Sequence, residues 1–284
     1  MRSDVLGLPV DILSREESYS VICEWFKAGI RKPKIIVTAY SEFFVNARRD
    51  KDFAKIMKKA DLVTPDGKSV LAAVKYGERT QKLKNSKTQN SSGFFNIFRF
   101  LGEGLKVGGE ILSDKVGESV TGVWLFDKIT QNATRNNWRI FVLGGWEDVS
   151  GEVTRMLLKR FPNMKIAYDA GESLVGSDPA TDRRVVEKIN KFKPDFLFVQ
   201  YRPVVQEKWI ASHIGNLKVG VAMGIGGTLD EYSGKLSPAP SWMERRGLKW
   251  LWRLVIQPRR WKRMIDAVIV FPLLVFKQSL KQEV

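Results

Sequence analysis

The sequence predicts an α/β fold: an open parallel sheet with helices on both faces, carrying a basic helical appendage at its C-terminal end. Three observations predict it. Short, β-branched apolar runs alternate with stretches of helical period along most of the chain. Several of these runs end in glycine or in Pro-Asp-Gly, as strands feeding tight turns do. From Trp242 onward the composition changes to a mixture of Trp, Lys and Arg.

Taken in order, residues 11–29 show helical spacing, with Ser14 and the Glu16–Glu17 pair where N-terminal capping belongs. Residues 34–39 (KIIVTA) read as a buried strand. Helical period returns over 42–59, a second strand at 60–64 runs into Pro65-Asp66-Gly67, and 69–76 is helical. Residues 78–117 interrupt this rhythm and read as an insertion. Its first part is a polar, turn-rich loop; its second has apolar residues at helical spacing, cut by several glycines. There Phe94, Phe95, Phe98 and Phe100 can pack on the core, touch lipid or meet a second subunit. Strands follow at 138–143, 164–168, 195–200 and 218–223, with helices at 149–161, 182–192 and 206–214. Residues 1–241 therefore form the core and 242–284 the appendage.

The chain carries 47 Lys and Arg against 31 Asp and Glu, a net charge of +16. Such a surface favours anionic partners: acidic lipid, nucleic acid or phosphorylated small molecules. Ten of the cations fall in 242–284 against three acids, interleaved with Trp and followed by the apolar run 267–276. That run is too short to span a bilayer and suits a segment lying in the membrane interface. The alternative is a C-terminal helix docked on the core, with Pro272 breaking any single long helix. The N-terminus does not read as a signal peptide, so the cytoplasm is the expected compartment. A single cysteine, Cys23, excludes an internal disulfide and a cysteine metal cluster, and one histidine, His213, leaves no zinc site of the usual ligand types.

Ligands of an open parallel sheet bind beyond the carboxyl ends of its strands. Gly144-Gly145 and Gly224-Ile225-Gly226-Gly227 each follow a strand, where glycine lets backbone approach a phosphate, or simply makes the turn. Neither completes a dinucleotide fingerprint, which disfavours a nicotinamide enzyme. Asp66 stands at a third strand end, placed to take a proton from a hydroxyl or to close an Asx turn.

Four strings together resemble the WecG/TagA/CpsF glycosyltransferase family. The most specific is GIGGTLDEYSGKLSPAPSWMERRGLKWLWRLVIQPRRWKR at 224–263; the others are ADLVTPDGKSVLAA at 60–73, FVLGG through FPNMKIAY at 141–168, and QEKW at 206–209. The resemblance implies a Rossmann-like core whose appendage helps complete the site. It implies an inverting, metal-independent enzyme without cofactor, moving an N-acetylmannosamine-type or related sugar. The donor is a UDP-sugar and the acceptor a polyprenyl-diphosphate-linked sugar, at the inner face of the plasma membrane, in cell-envelope or exopolysaccharide synthesis. In this pattern Asp66 falls on the catalytic base, and Thr38, Tyr40 and Gln206 lie near the sugar. Gly144, Gly145, Gly224, Gly226, Gly227 and Asp230 fall by the nucleotide, and Arg253, Arg260 and Arg263 on the acceptor diphosphate. The same arginines read equally as a solvated basic face.

Three positions depart from the family pattern: Tyr40 replaces a common Asn, Ser119 an Arg, and Gln200–Val205 a glycine-rich approach. A non-catalytic scaffold at the membrane surface is the second reading. Nucleic acid has no motif to support it, and homo-oligomerisation stays open.

Overall fold

The computed structural model describes residues 1–85, 93–171 and 178–281, with the side chains of 93–96, including Phe94 and Phe95, outside the described set. The chain opens with a hairpin that the sequence reading missed: β1 (Arg2–Val5) pairs antiparallel with β2 (Leu8–Asp11). Leu6 and Gly7 both adopt positive φ, at 56° and 81°, the paired left-handed geometry of a two-residue hairpin turn. Helix α1 (Arg15–Lys27) therefore starts after its Ser14 cap, not at residue 11. The Ser14 hydroxyl accepts from Glu17 N–H while Glu17 accepts from Ser14 N–H, a reciprocal cap.

The six strands expected of the core all form: β3 (Lys34–Ala39), β4 (Leu62–Pro65), β5 (Arg139–Gly144), β6 (Lys165–Asp169), β7 (Phe196–Gln200) and β8 (Val221–Gly224). They make one parallel sheet in the order β4-β3-β8-β7-β5-β6. Side-chain alternation sorts each strand onto two cores. Ile140, Val142, Phe196, Phe198, Val221 and Met223 face one side, under α1, α6 (Gly122–Ala133) and α7 (Val149–Arg160). Phe141, Leu143, Leu197, Val199 and Ala222 face the other, under α8 (Pro179–Phe192) and α9 (Val205–His213). Val37 and Val63 extend that second face beneath the hairpin, α2 (Ser41–Arg49), α3 (Lys51–Lys59) and α4 (Lys68–Asn85).

Three expectations change. The stretch 42–59 is two helices, because Asp50 leaves helical geometry and its carboxylate accepts from Asp52 and Phe53 N–H, capping α3. The expected loop from 78 is helical to Asn85, since Glu, Arg, Gln, Lys and Leu are strong helix formers and polarity alone does not make a loop. The glycines of the next stretch do not interrupt α5 (Gly93–Leu112), which runs 20 residues. Phe100 and Val107 pack with Tyr76 of α4, while Phe98 is 59% exposed. Arg79 bridges Glu103 and Glu110 across the same pair of helices.

After β8 come α10 (Thr228–Tyr232), α11 (Ser241–Arg245), α12 (Lys249–Ile256), α13 (Trp261–Ile265) and α14 (Phe271–Leu280). Pro272 does not break the helix. Residues 266–270 form a π turn in which Phe271 N–H reaches Asp266 O, so the chain stays helical past a residue that lacks its own donor. One side of this segment docks on the core: Phe271 is 1% exposed with its ring centroid 5.5 Å from Phe44, and Ser279 bonds Tyr76 at 3.0 Å. Arg49 clasps Asp266 with two hydrogen bonds, at 2.5 and 2.8 Å. Docking predicts a contrast within one helix. Phe271→Ala should cost about 3–5 kcal/mol by chemical denaturation. Leu273→Ala, at a side chain 54% exposed, should cost under about 0.5 kcal/mol. Equal small effects would contradict the docked arrangement.

Candidate active site

The carboxyl ends of β3, β4, β8, β7 and β5 lie along one edge of the sheet, and the C-terminal segment folds over that edge. The strands are parallel, but the connections diverge between β5 and β7: β5 leads outward to β6 and β7 inward to β8. Here Gly145 N–H donates to Gln200 O at 2.9 Å. Gly144 is obligatory, because a side chain there would fall 2.5 Å from Gln200 O in a backbone with φ of 88°. Trp146, 63% exposed, follows the pair on a turn whose Glu147 and Asp148 are also left-handed.

Gln200, which the sequence reading treated only as a departure, ties the two glycine turns together. It is 4% exposed; its Oε1 accepts from Leu229 N–H at 2.7 Å and its Nε2 donates to Asp230 at 3.1 Å. Burial pushes the Asp230 carboxyl upward, against the pull of Gln200, Arg253, Lys235 and Arg260. Asp230 and Arg253 both border Gly227, at 3.6 and 3.9 Å from where a side chain on that glycine would lie.

Asp66 follows β4, its N–H bonded to Ala39 O at 2.8 Å. Its carboxylate faces the N-terminus of α6, with Gly122 N–H at 3.4 Å. Thr121 caps that helix, and a side chain on Gly122 would sit 3.4 Å from Thr38 Oγ1 and 3.5 Å from Thr228 Oγ1. Thr38, Asp66, Gly122 and Thr228 thus share one small space. Burial raises the Asp66 carboxyl to about 6, with Lys249 and Gly122 N–H pulling it down and Glu231 and Glu244 pushing it up. A carboxylate that titrates there suits proton abstraction near neutral pH. Lys249, Glu244 and Glu231 lie beyond β8, so this part of the chain sets the charge state of a core residue.

Gln206 is placed differently from a group lining the pocket. It is 2% exposed beneath the last turn of β8, where Oε1 accepts from Tyr201 and Gly226 N–H at 3.3 and 3.0 Å. Its Nε2 donates to Glu207 at 2.6 Å. Glu207, buried and raised to about 7 by that burial, accepts in turn from Val204 N–H at 2.7 Å. That bond secures a β-branched residue held at a φ of 72°. The pair shapes the backbone behind the site.

The appendage arginines converge on the same edge. Arg253 pairs with Glu231, whose side chain is 9% exposed, and Lys249 lies 3.5 Å from the same carboxylate. Arg263 bonds Glu42 through Nε at 3.0 and 2.9 Å, and the Tyr40 hydroxyl through Nη2 at 2.6 Å. Arg260 lies close enough to both for burial, Arg263 and Arg253 together to lower its pKa. Sequence reasoning named the three arginines but gave no role to Glu231, Glu42 or Lys249, whose roles depend on pairings between distant parts of the chain. His213 stacks on Trp209 in α9, away from these groups. Among the described residues, no three His, Cys, Asp or Glu side chains gather where they could hold a metal ion.

The family described as Glycosyl transferase WecG/TagA/CpsF matches residues 3–91 and 95–284. An N-acetylglucosaminyldiphosphoundecaprenol N-acetyl-beta-D-mannosaminyltransferase from Bacillus subtilis (strain 168) is 29% identical over 247 residues, covering 86% of this chain and 80% of that one. A protein of the same description from Staphylococcus aureus (strain MRSA252) is 29% identical over 274 residues, covering 96% and 91%. With the family match running nearly end to end over a six-stranded parallel sheet, the chain belongs to the WecG/TagA/CpsF family and is a glycosyltransferase.

Proposed function

We propose that this glycosyltransferase moves an N-acetylmannosamine-type or related sugar from a UDP donor to a polyprenyl-diphosphate-linked acceptor, in cell-envelope or exopolysaccharide synthesis. The observation that carries the reading is Asp66. It is a carboxyl raised to about 6 at the carboxyl edge of the sheet, set between a helix N-terminus and a basic appendage. The names of the Bacillus and Staphylococcus relatives supply the sugar and acceptor classes.

In this mechanism Asp66 takes the proton of the acceptor hydroxyl as its oxygen attacks the anomeric carbon. The bond to the UDP oxygen breaks on the opposite side, which inverts the configuration. The departing diphosphate is met by arginine beside the Gly144-Gly145 and Gly224–Gly227 turns, where the missing side chains let it approach, so no metal is required for charge stabilisation. Asp230, fixed by Gln200, faces the nucleotide. Thr38 borders the sugar, with Tyr40 at the rim. Gln206 supports the pocket wall through Gly226 rather than touching the sugar. Residues 1–241 act as the catalytic core and 242–284 as the appendage that closes it.

The appendage also suggests attachment to the inner face of the membrane. Val255, Trp261, Ile269 and Leu273 are 65%, 52%, 53% and 54% exposed. Leu101 and Leu105 of the neighbouring α5 are 46% and 80% exposed, and α5 packs beside α14. Apolar side chains among Lys and Arg suit an anionic lipid surface. Among the described residues no helix is long and apolar enough to cross a membrane.

Asp66→Asn should fold as the wild type and lose turnover by about 10²–10⁴-fold in a UDP-sugar transfer assay; undiminished turnover would overturn the mechanism. For the surface, Leu105→Glu combined with Ile269→Glu should release the protein from anionic vesicles in a sedimentation assay. Unchanged vesicle binding would refute attachment through this face.

A further inference from the structure

The three appendage arginines are not equivalent. Arg263 is gripped on two of its three nitrogens: its Nε donates to both oxygens of Glu42, whose side chain is 8% exposed, and its Nη2 donates to the Tyr40 hydroxyl. Arg260, three residues earlier, has no hydrogen bond or ion pair with the described residues; burial, Arg263 and Arg253 weigh against its charge and outweigh the support of Tyr40 and Glu42. Arg253 spends one nitrogen on Glu231 and keeps its Nη1 buried without a partner. A cation pressed against other cations, beside an unpaired buried N–H donor, is a site short of an anion.

We propose that Arg263 is a latch and not a ligand: Glu42 and Tyr40 grip it, the appendage is thereby fixed over the sheet edge, and Arg260 with Arg253 Nη1 is presented to a diphosphate. The inference rests on the proposed reading of this edge as a diphosphate-binding active site. It assigns a use to Tyr40, the position where the chain departs from the family's common Asn. The tyrosine ring packs on Phe43 at 4.6 Å and its hydroxyl reaches across to the appendage. An asparagine, with a much shorter side chain, would not span that gap. The latch joins α2 to α13 across 221 residues of chain, beside the Arg49–Asp266 pair that joins the same two regions.

Removing Glu42 separates the two roles by sign. If Arg263 binds the anion, Glu42→Gln frees it and tightens binding. If Arg263 is a latch, the same change loosens the appendage and weakens binding. Inorganic pyrophosphate is the probe, titrated by calorimetry, and trypsin cleavage within 245–263 reports docking. Arg260→Gln should lose about tenfold or more in pyrophosphate affinity, as removal of a charged hydrogen bond does, with the appendage still protected. Glu42→Gln and Arg263→Gln should each lose affinity and protection, and the double variant should lose no more than either alone. Tyr40→Phe, which keeps the ring, should move both readouts the same way by less, so a Glu42 variant that fails to fold leaves the test intact. Tighter binding in Glu42→Gln, or losses that add in the double variant, would overturn the latch. Separate titrations with UDP and farnesyl diphosphate identify which substrate's diphosphate is held. A wild-type protein that binds none of the three anions would overturn the active-site reading itself, a result distinct from failure of the latch.

Discussion

Glu231 lies almost out of solvent beyond the carboxyl end of β8, and a carboxylate there needs cations against it. Arg253 and Lys249 supply them from α12, and Glu42 binds Arg263 in the same way from the other side of the edge. Breaking a buried pair of this kind costs about 3–5 kcal/mol, because it strands a charge. The placement of the rest of the C-terminal segment follows from these pairings. They set the position of Arg260, bring Lys249 into the field of Asp66, and leave Phe271 to fill the apolar gap beside Phe44. The sheet provides the floor of the site, while much of its electrostatics comes from a segment more than 160 residues away in sequence from Asp66.

The two halves of the edge use different physics. On the β5–β7 side, Gln200 holds Leu229 N–H and the Asp230 carboxylate in place, and Arg253, Lys235 and Arg260 act on that carboxylate. On the β3–β4 side, burial sets the behaviour of Asp66, and nearby charges of both signs adjust it. In the proposed mechanism a base that must be ionised lies next to a region that must bind a diphosphate, and it gains from such separation: cations drawn too close to the base would depress its pKa. Lys249 marks that compromise, held by Glu231 while still acting on Asp66.

Much of this was legible in the sequence because the core obeys local rules. Each sheet strand is a short apolar run, and Pro65-Asp66-Gly67 announces its own turn. The misses have physical causes. The β1–β2 strands are four residues each, too short for alternation to stand out. Asp50 capped a new helix within an unbroken helical period, and a polar composition hid the end of α4. Gln206 carried the right residue type for a pocket, but its hydrogen bonds lie behind the pocket wall. The pairings of Glu42 and Glu231 could not be read, since nothing local distinguishes a carboxylate that will meet an arginine from far along the chain.

The account stands on the appendage and the core forming one electrostatic site, and a pH–rate profile tests this most directly. As a base, Asp66 works only when ionised, so kcat/KM should fall as pH drops through about 6. Lys249 favours the ionised form, so in Lys249→Met the same limb should move to higher pH. A limb that lies in the ordinary carboxylate range near pH 4, or one that stays in place when Lys249 is removed, would contradict it.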